Sequence, residues 1–169
     1  QEGSSKMLRL LQGDVGSGKT IVALFAMMQC IENNKRSVLM APTEILAEQH
    51  FNTLKEFISD LNLTCSLITS SNKNNHNFEA DIIIGTHALF QQKVTFENIG
   101  LVVIDEQHKF GVHQRILLNE KAGNSCDILL MTATPIPRTM ELAAYGDMDI
   151  SKISEKPKNR KEIITKSIN

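Results

Sequence analysis

Gly13-Asp14-Val15-Gly16-Ser17-Gly18-Lys19-Thr20 is the most informative run in the chain. The stretch has the spacing glycine, four residues, Gly-Lys, then Ser or Thr, and it lies between an apolar run ending at Leu11 and an amphipathic run that starts at Lys19. A strand, a loop and a helix in that order are the setting in which this spacing carries chemistry. Glycines let the backbone curl so that successive N–H groups turn inward on a phosphate, and the following helix aims its positive end at the same point. Gly13, Asp14, Val15, Gly16, Ser17 and Gly18 are therefore expected to form the cradle, with Lys19 reaching the β- and γ-phosphates and the Thr20 hydroxyl a ligand of Mg²⁺. The competing reading is a Gly-rich turn that merely caps a helix. By itself the loop specifies a nucleoside triphosphate, and kinases, switches, transporters and motors share it.

Working outward, short apolar runs alternate with amphipathic ones, the pattern of βαβ units and a parallel sheet. Strands are predicted over Met7–Leu11, Val38–Met40, Cys65–Ile68, Ile82–Ile84, Leu101–Ile104 and Ile128–Met131, most of them continuous in Ile, Val, Leu and Met as in strands covered on both faces. Helices are predicted over Lys19–Glu32, Glu44–Leu61, Val112–Lys121 and Arg138–Tyr145. In the second of these, Ile45, Leu46, Phe51, Leu54, Phe57, Ile58 and Leu61 recur near three-and-four spacing and read as one buried stripe. Ser70–Asn77 is polar and aperiodic and reads as an exposed loop. The fold class that follows is α/β, a phosphate-loop domain with a parallel sheet flanked by helices on both faces.

The run Leu101-Val102-Val103-Ile104 ends in Asp105-Glu106, at the carboxyl end of a strand, where ligands bind in open α/β sheets. Two adjacent carboxylates are costly to desolvate unless a cation or proton compensates, so the pair suggests a metal site. Asp105 is expected to hold Mg²⁺, mostly through water, and Glu106 to polarise the water that attacks the γ-phosphate. Read alone, the two are solvated acids at a strand-to-loop junction; the phosphate loop in the same chain favours the metal reading. Asn72-Lys73-Asn74-Asn75 lacks the aspartate of the Asn-Lys-x-Asp element that reads guanine, which argues against GTP.

The 169 residues suit one domain, and 41% hydrophobic with 22% charged residues excludes a disordered polyelectrolyte or a coiled coil. No apolar run approaches the roughly 20 residues needed to span a bilayer, so a soluble, cytoplasmic protein is the default expectation. Cys30, Cys65 and Cys126 lie far apart, with neither disulfide nor metal spacing, and read as reduced, partly buried side chains. Net charge is only -1. The basic excess is concentrated from Ser151 onward, where 6 Lys or Arg face 2 Asp or Glu. Such a tail can bind nucleic acid, and more commonly it is a solvated linker.

Beyond generic nucleotide binding, Asp105-Glu106-Gln107-His108 and Thr132-Ala133-Thr134 resemble motifs II and III of superfamily 2 helicases, and Gly13–Thr20 their motif I. Ala41-Pro42-Thr43-Glu44-Ile45-Leu46-Ala47-Glu48-Gln49-His50, Gly85-Thr86-His87-Ala88-Leu89-Phe90-Gln91 and Met131-Thr132-Ala133-Thr134-Pro135-Ile136-Pro137-Arg138-Thr139 are similar to the bacterial RecG family of branched-DNA helicases, over about Met7 to Lys161. The Mfd-type transcription-repair coupling translocases are the nearest competitors, but they usually carry Glu where this chain has Gln107. A plain phosphate-loop switch or binding module is the reading from a different class, and it has no need of the second and third motifs.

The resemblance implies an ATP- and Mg²⁺-dependent DNA motor that remodels branched DNA. It places a first RecA-like domain at residues 1–153, and the linker and start of a second at 154–169, in a fragment of a longer protein that also carries a wedge domain. It implies that Gln107 and His108, with Thr132 and Thr134, couple the nucleotide site to DNA. Thr43, Thr86, His87 and Arg138 are the implied DNA contacts, although Thr43 before Glu44 also suits a helix cap. This chain departs from the family in having only Ser70–Ala80 before Gly-Thr-His, in Lys109 where Arg is more frequent, and in holding no adenine-reading glutamine upstream of motif I. His50, His76 and His113 form no metal-spaced set.

Overall fold

Strands buried on both faces must be continuously apolar, and that requirement organises the chain. The computed structural model describes residues 7–70, 77–86, 98–106, 126–134 and 148–154. Among them run β1 (Leu8–Gly13), α1 (Lys19–Glu32), β2 (Arg36–Met40), α2 (Glu44–Phe57), β3 (Cys65–Ile68), β4 (Ile82–Gly85), β5 (Ile99–Ile104), β6 (Asp127–Thr132) and β7 (Asp149–Ile153). The predicted strands and the first helix are all present, the strands mostly one or two residues longer than expected. The predicted helices at 112–121 and 138–145, most of the 70–77 loop, and residues 155–169 lie outside the described residues.

One sheet forms with the order β3-β4-β2-β5-β6-β1-β7. Every recorded pairing is parallel. All carboxyl ends therefore meet at one edge. Side chains alternate between the two faces. Leu10, Val38, Ile83, Val102 and Leu130 join one core cluster, while Leu11, Leu39, Ile84, Val103 and Met131 join the other, under α1 and α2. At Gly100 the strand packs tightly against the end of α1 and the turn that follows it. A Cβ there would lie 2.6 Å from the Cys30 sulfur and 2.6 Å from Lys35 Cδ, so the strand tolerates no side chain at that point.

Two expectations are corrected. The predicted helix Glu44–Leu61 ends at Phe57, because Ile58 caps it and the Ser59 hydroxyl donates to the Glu56 carbonyl at 2.9 Å. Ser, Asp and Asn after the last turn compete for backbone groups in this way. The buried stripe is also narrower than its sequence reading. Ala47, Leu54 and Ile58 are buried, but Ile45 is 69% exposed, Phe57 53% and Leu61 39%. Ile45 sits about 160° round the helix from Ala47 at 100° per residue, so the two cannot face the same core. The structure also adds β7, which was not foreseen. It pairs with β1, and Arg9 bonds Asp149 at 3.0 Å and Ser151 at 2.9 Å to hold it there.

No described helix is long and apolar enough to cross a membrane. The three cysteines are free thiols, Cys126 buried and the other two half-buried. Burial pushes the Cys65 thiol up to about 12, with Lys55 acting in the opposite sense.

Two measurements test this packing. Leu54→Ala should cost about 2–5 kcal/mol in urea unfolding, whereas Ile45→Ala should stay within about 0.5 kcal/mol. Equal effects would refute the assignment of faces. For Cys65 the folded thiol titrates above the 9.0 of the unfolded chain, so stability is undiminished below pH 9 and declines as pH rises toward 12. Cys65→Ala should remove that decline, and a decline that persists in the variant would point to another group.

Candidate functional site

The site is built on strand ends. Gly13 closes β1, and the chain then turns through Gly16 at φ 79° and Gly18 at φ 91°, left-handed values that glycine reaches without strain. The Ser17 N–H donates to the Asp14 carbonyl at 3.1 Å, and Gly18 is the N-cap of α1, with no side-chain cap of its own. Nothing lies within 4 Å of where a Gly18 Cβ would stand. Lys19 folds back over the loop, its ammonium donating to the Gly13 carbonyl at 2.7 Å and the Asp14 carbonyl at 2.8 Å. The Ser17 hydroxyl is buried with no hydrogen-bond partner among the described residues. An uncapped helix start and a lysine ammonium thus stand together at the loop, with the orphan Ser17 hydroxyl beside them, a set of donors that suits a polyphosphate.

Asp105 follows β5, and two strand spacings, about 10 Å, separate that strand from β1. Its residue exposure is only 9%. The main-chain N–H donates to the Met40 carbonyl at 2.9 Å, and Oδ1 accepts the Glu106 N–H at 3.0 Å. Oδ2 lies 2.8 Å from His50 Nε2. Glu106 is half-buried with φ 49°, a left-handed backbone that costs a non-glycine residue about 1–2 kcal/mol. Strain of that kind is retained where the surroundings fix a residue, and functional sites are its usual location.

The site residues divide as follows. Gly13–Thr20, Asp105 and Glu106 stand on the same sheet edge, as expected. Thr132 and Thr134 are there too, with Oγ1 atoms 3.0 Å apart and the Thr134 N–H donating to Thr132 Oγ1 at 3.2 Å. Thr43 is the N-cap of α2 and accepts the Leu46 N–H at 3.3 Å. Thr86, 4% exposed, follows β4. Gln107, His108, His87 and Arg138 lie outside the described residues.

Sequence reasoning missed two side chains. Gln12, the last residue before the loop and 7% exposed, donates from Nε2 to the Thr134 carbonyl at 3.1 Å, which ties the phosphate loop to the Thr-Ala-Thr turn. A glutamine directly after Leu10-Leu11 and directly before the glycine loop is the available signal. His50 belongs to no metal-spaced set in the sequence, yet it bonds Asp105. Only its place on the sheet-facing side of α2 could have marked it.

No group of three or more His, Cys, Asp or Glu side chains comes together among the described residues. Mg²⁺ takes one or two protein oxygens together with phosphate and water. Thr20 and Asp105 fit such a role.

The chain matches the DEAD/DEAH box helicase family over residues 3–143. It is 52% identical to an ATP-dependent DNA helicase RecG of Streptococcus pneumoniae, covering 96% of this chain and 25% of the relative. Against that of Aquifex aeolicus it is 50% identical, covering 95% and 22%. The chain thus spans about a quarter of these relatives. Among solved structures, a RecG bound to a three-way DNA junction aligns with TM-score 0.77 at 42% identity, covering 95% of this chain and 22% of that one. The helicase MrfA bound to DNA aligns with TM-score 0.73 at 19% identity, covering 86% and 25%, which speaks for the fold alone.

Thr43 allows its capping role to be tested apart from any ligand. Thr43→Ala should lower stability by about 1 kcal/mol in chemical denaturation, and Thr43→Ser should restore it. A neutral alanine would show that the cap is idle.

Proposed function

Since the chain belongs to the DEAD/DEAH box helicase family, we propose that it is the ATP-binding motor domain of a RecG-type DNA helicase that remodels branched DNA in recombination and repair. Residues 1–153 would form the first motor domain, and 154–169 the linker and the start of the second. The observation that carries the reading is the gathering of the glycine loop, Lys19, the buried Asp105 and the strained Glu106 on one sheet edge. Identity near 50% to RecG relatives supports this over a coupling-factor translocase.

In this proposal the loop amides of Gly16–Thr20 take the phosphates, and Lys19 exchanges its carbonyl partners for the β- and γ-oxygens. Thr20 and Asp105 would hold Mg²⁺, which when bound offsets phosphate charge. Glu106 orients the attacking water and accepts its proton. Gln107 and His108 would couple nucleotide state to Thr132 and Thr134, and Thr43, Thr86, His87 and Arg138 would serve as DNA contacts. A single lysine leaves much of the charge developing on the transferred phosphoryl unmatched, so an arginine from the second motor domain completes the site. A soluble, cytoplasmic enzyme that acts on chromosomal DNA is part of this reading.

The test is ATP turnover by the full-length protein with no DNA, linear duplex or a three-way junction. Junction DNA should stimulate most. Glu106→Gln should cut turnover about 100-fold or more, as expected for loss of a proton acceptor, while nucleotide still binds. Turnover indifferent to DNA would favour a nucleotide switch, and an active Glu106→Gln variant would remove Glu106 from its role.

A further inference from the structure

His50 has no part in the mechanism above, yet it makes the shortest contact recorded for the acid assigned to the metal. Its Nε2 lies 2.8 Å from Asp105 Oδ2 across 55 residues of sequence, and both side chains are only 13% exposed. An ionised carboxylate has only acceptors, so the proton of this bond resides on Nε2 and the ring donates. The other oxygen, Oδ1, takes the Glu106 N–H. That bond is local and moves with the loop.

An aspartate's terminal torsion is soft, with broad, two-fold preferences. One local bond leaves the carboxylate free to swing about it. A second donor on the other oxygen, carried by a different element, removes that freedom and still leaves lone pairs on both oxygens for a cation. The element is rigid here. Ala47 and Leu54 on α2 are fully buried, and the main chain of Asp105 is itself bonded to Met40 at the end of β2, the strand that leads into α2.

We propose that His50 is a positioning residue that locks the Asp105 carboxylate in the orientation that receives the divalent cation. The proposal rests on the Mg²⁺-nucleotide reading of the site. His50 touches neither nucleotide nor metal, and its effect passes through Asp105. Outer partners of metal ligands commonly change metal affinity 10–100-fold when lost.

The experiment uses the full-length protein and a fluorescent ADP analogue, titrated in EDTA and then at increasing Mg²⁺, alongside Mn²⁺ binding followed by electron paramagnetic resonance in the presence of ADP. Two variants are compared: His50→Leu, which deletes the donor, and His50→Gln, whose amide places a donor near the same point. His50→Leu should raise the Mg²⁺ and Mn²⁺ concentrations for half-saturation about 10- to 100-fold, leave ADP affinity in EDTA unchanged, and be largely rescued in His50→Gln. An unchanged metal requirement overturns the proposal. So does a loss of ADP affinity in EDTA that matches the loss in Mg²⁺, because the histidine would then support the fold generally. Failure of His50→Gln to outperform His50→Leu overturns it as well. If the unsubstituted protein binds ADP with no dependence on Mg²⁺, the metal reading of Asp105 itself fails, and that result is distinct from every variant effect.

Discussion

Everything at the functional edge depends on a carboxylate kept almost out of water at the end of a strand that is buried along its whole length. β5 is buried at each of its six positions, so its register in the sheet is not negotiable. Asp105, one residue on, inherits that rigidity. A charge in such a place is destabilising unless donors surround it, and the chain supplies the Glu106 N–H and the His50 ring. The exit from β5 is also where the backbone is strained, with Glu106 in left-handed geometry. The buried acid and the strained turn are joined directly, since Asp105 Oδ1 accepts the Glu106 N–H.

The parallel sheet explains why so many functional groups share this neighbourhood. With every described pairing parallel, the ends of β1, β5 and β6 open on the same side, and each following segment starts there. β5, at the centre of the sheet, carries the acids, and β1, two strands over, carries the phosphate loop. β2 and β4 lead to Thr43 and Thr86 at the same edge, farther along the sheet. Fold and site are therefore one argument: the hydrophobic pairing that stabilises the sheet also collects the chemistry.

That coupling is why much was legible in sequence. Two-sided burial produces the apolar runs that mark β2 to β6, and the glycine spacing marks the loop, because both are local patterns with local causes. The failures have causes too. β7 is polar at Asp149, Ser151 and Lys152 and sits at an edge, so it lacks the apolar continuity of the inner strands, and its partner β1 is some 140 residues away. Ile45 has the spacing of a core residue but lies on the far side of α2 from Ala47, and Leu61 lies beyond the helix end near Ser59, so near-periodicity overstates the buried stripe. Gln12 and His50 were illegible for a different reason. Each is a single polar residue whose meaning lies in a partner 122 or 55 positions distant, and no spacing within its own segment announces that partner.

Those two side chains bear on how the edge acts as a unit. A parallel sheet brings loops together but does not connect them, since each returns to its own helix. Gln12 joins the loop-bearing strand to the turn after β6, and His50 joins α2 to the acid after β5. Both bonds are made by half-buried or buried groups, where a lost partner costs more than it does at the surface. Displacing any one segment therefore disturbs another. Among the described residues these two side-chain bonds, Gln12 to the Thr134 carbonyl and His50 to Asp105, tie together segments that follow different strands, and a conservative substitution can probe each in turn.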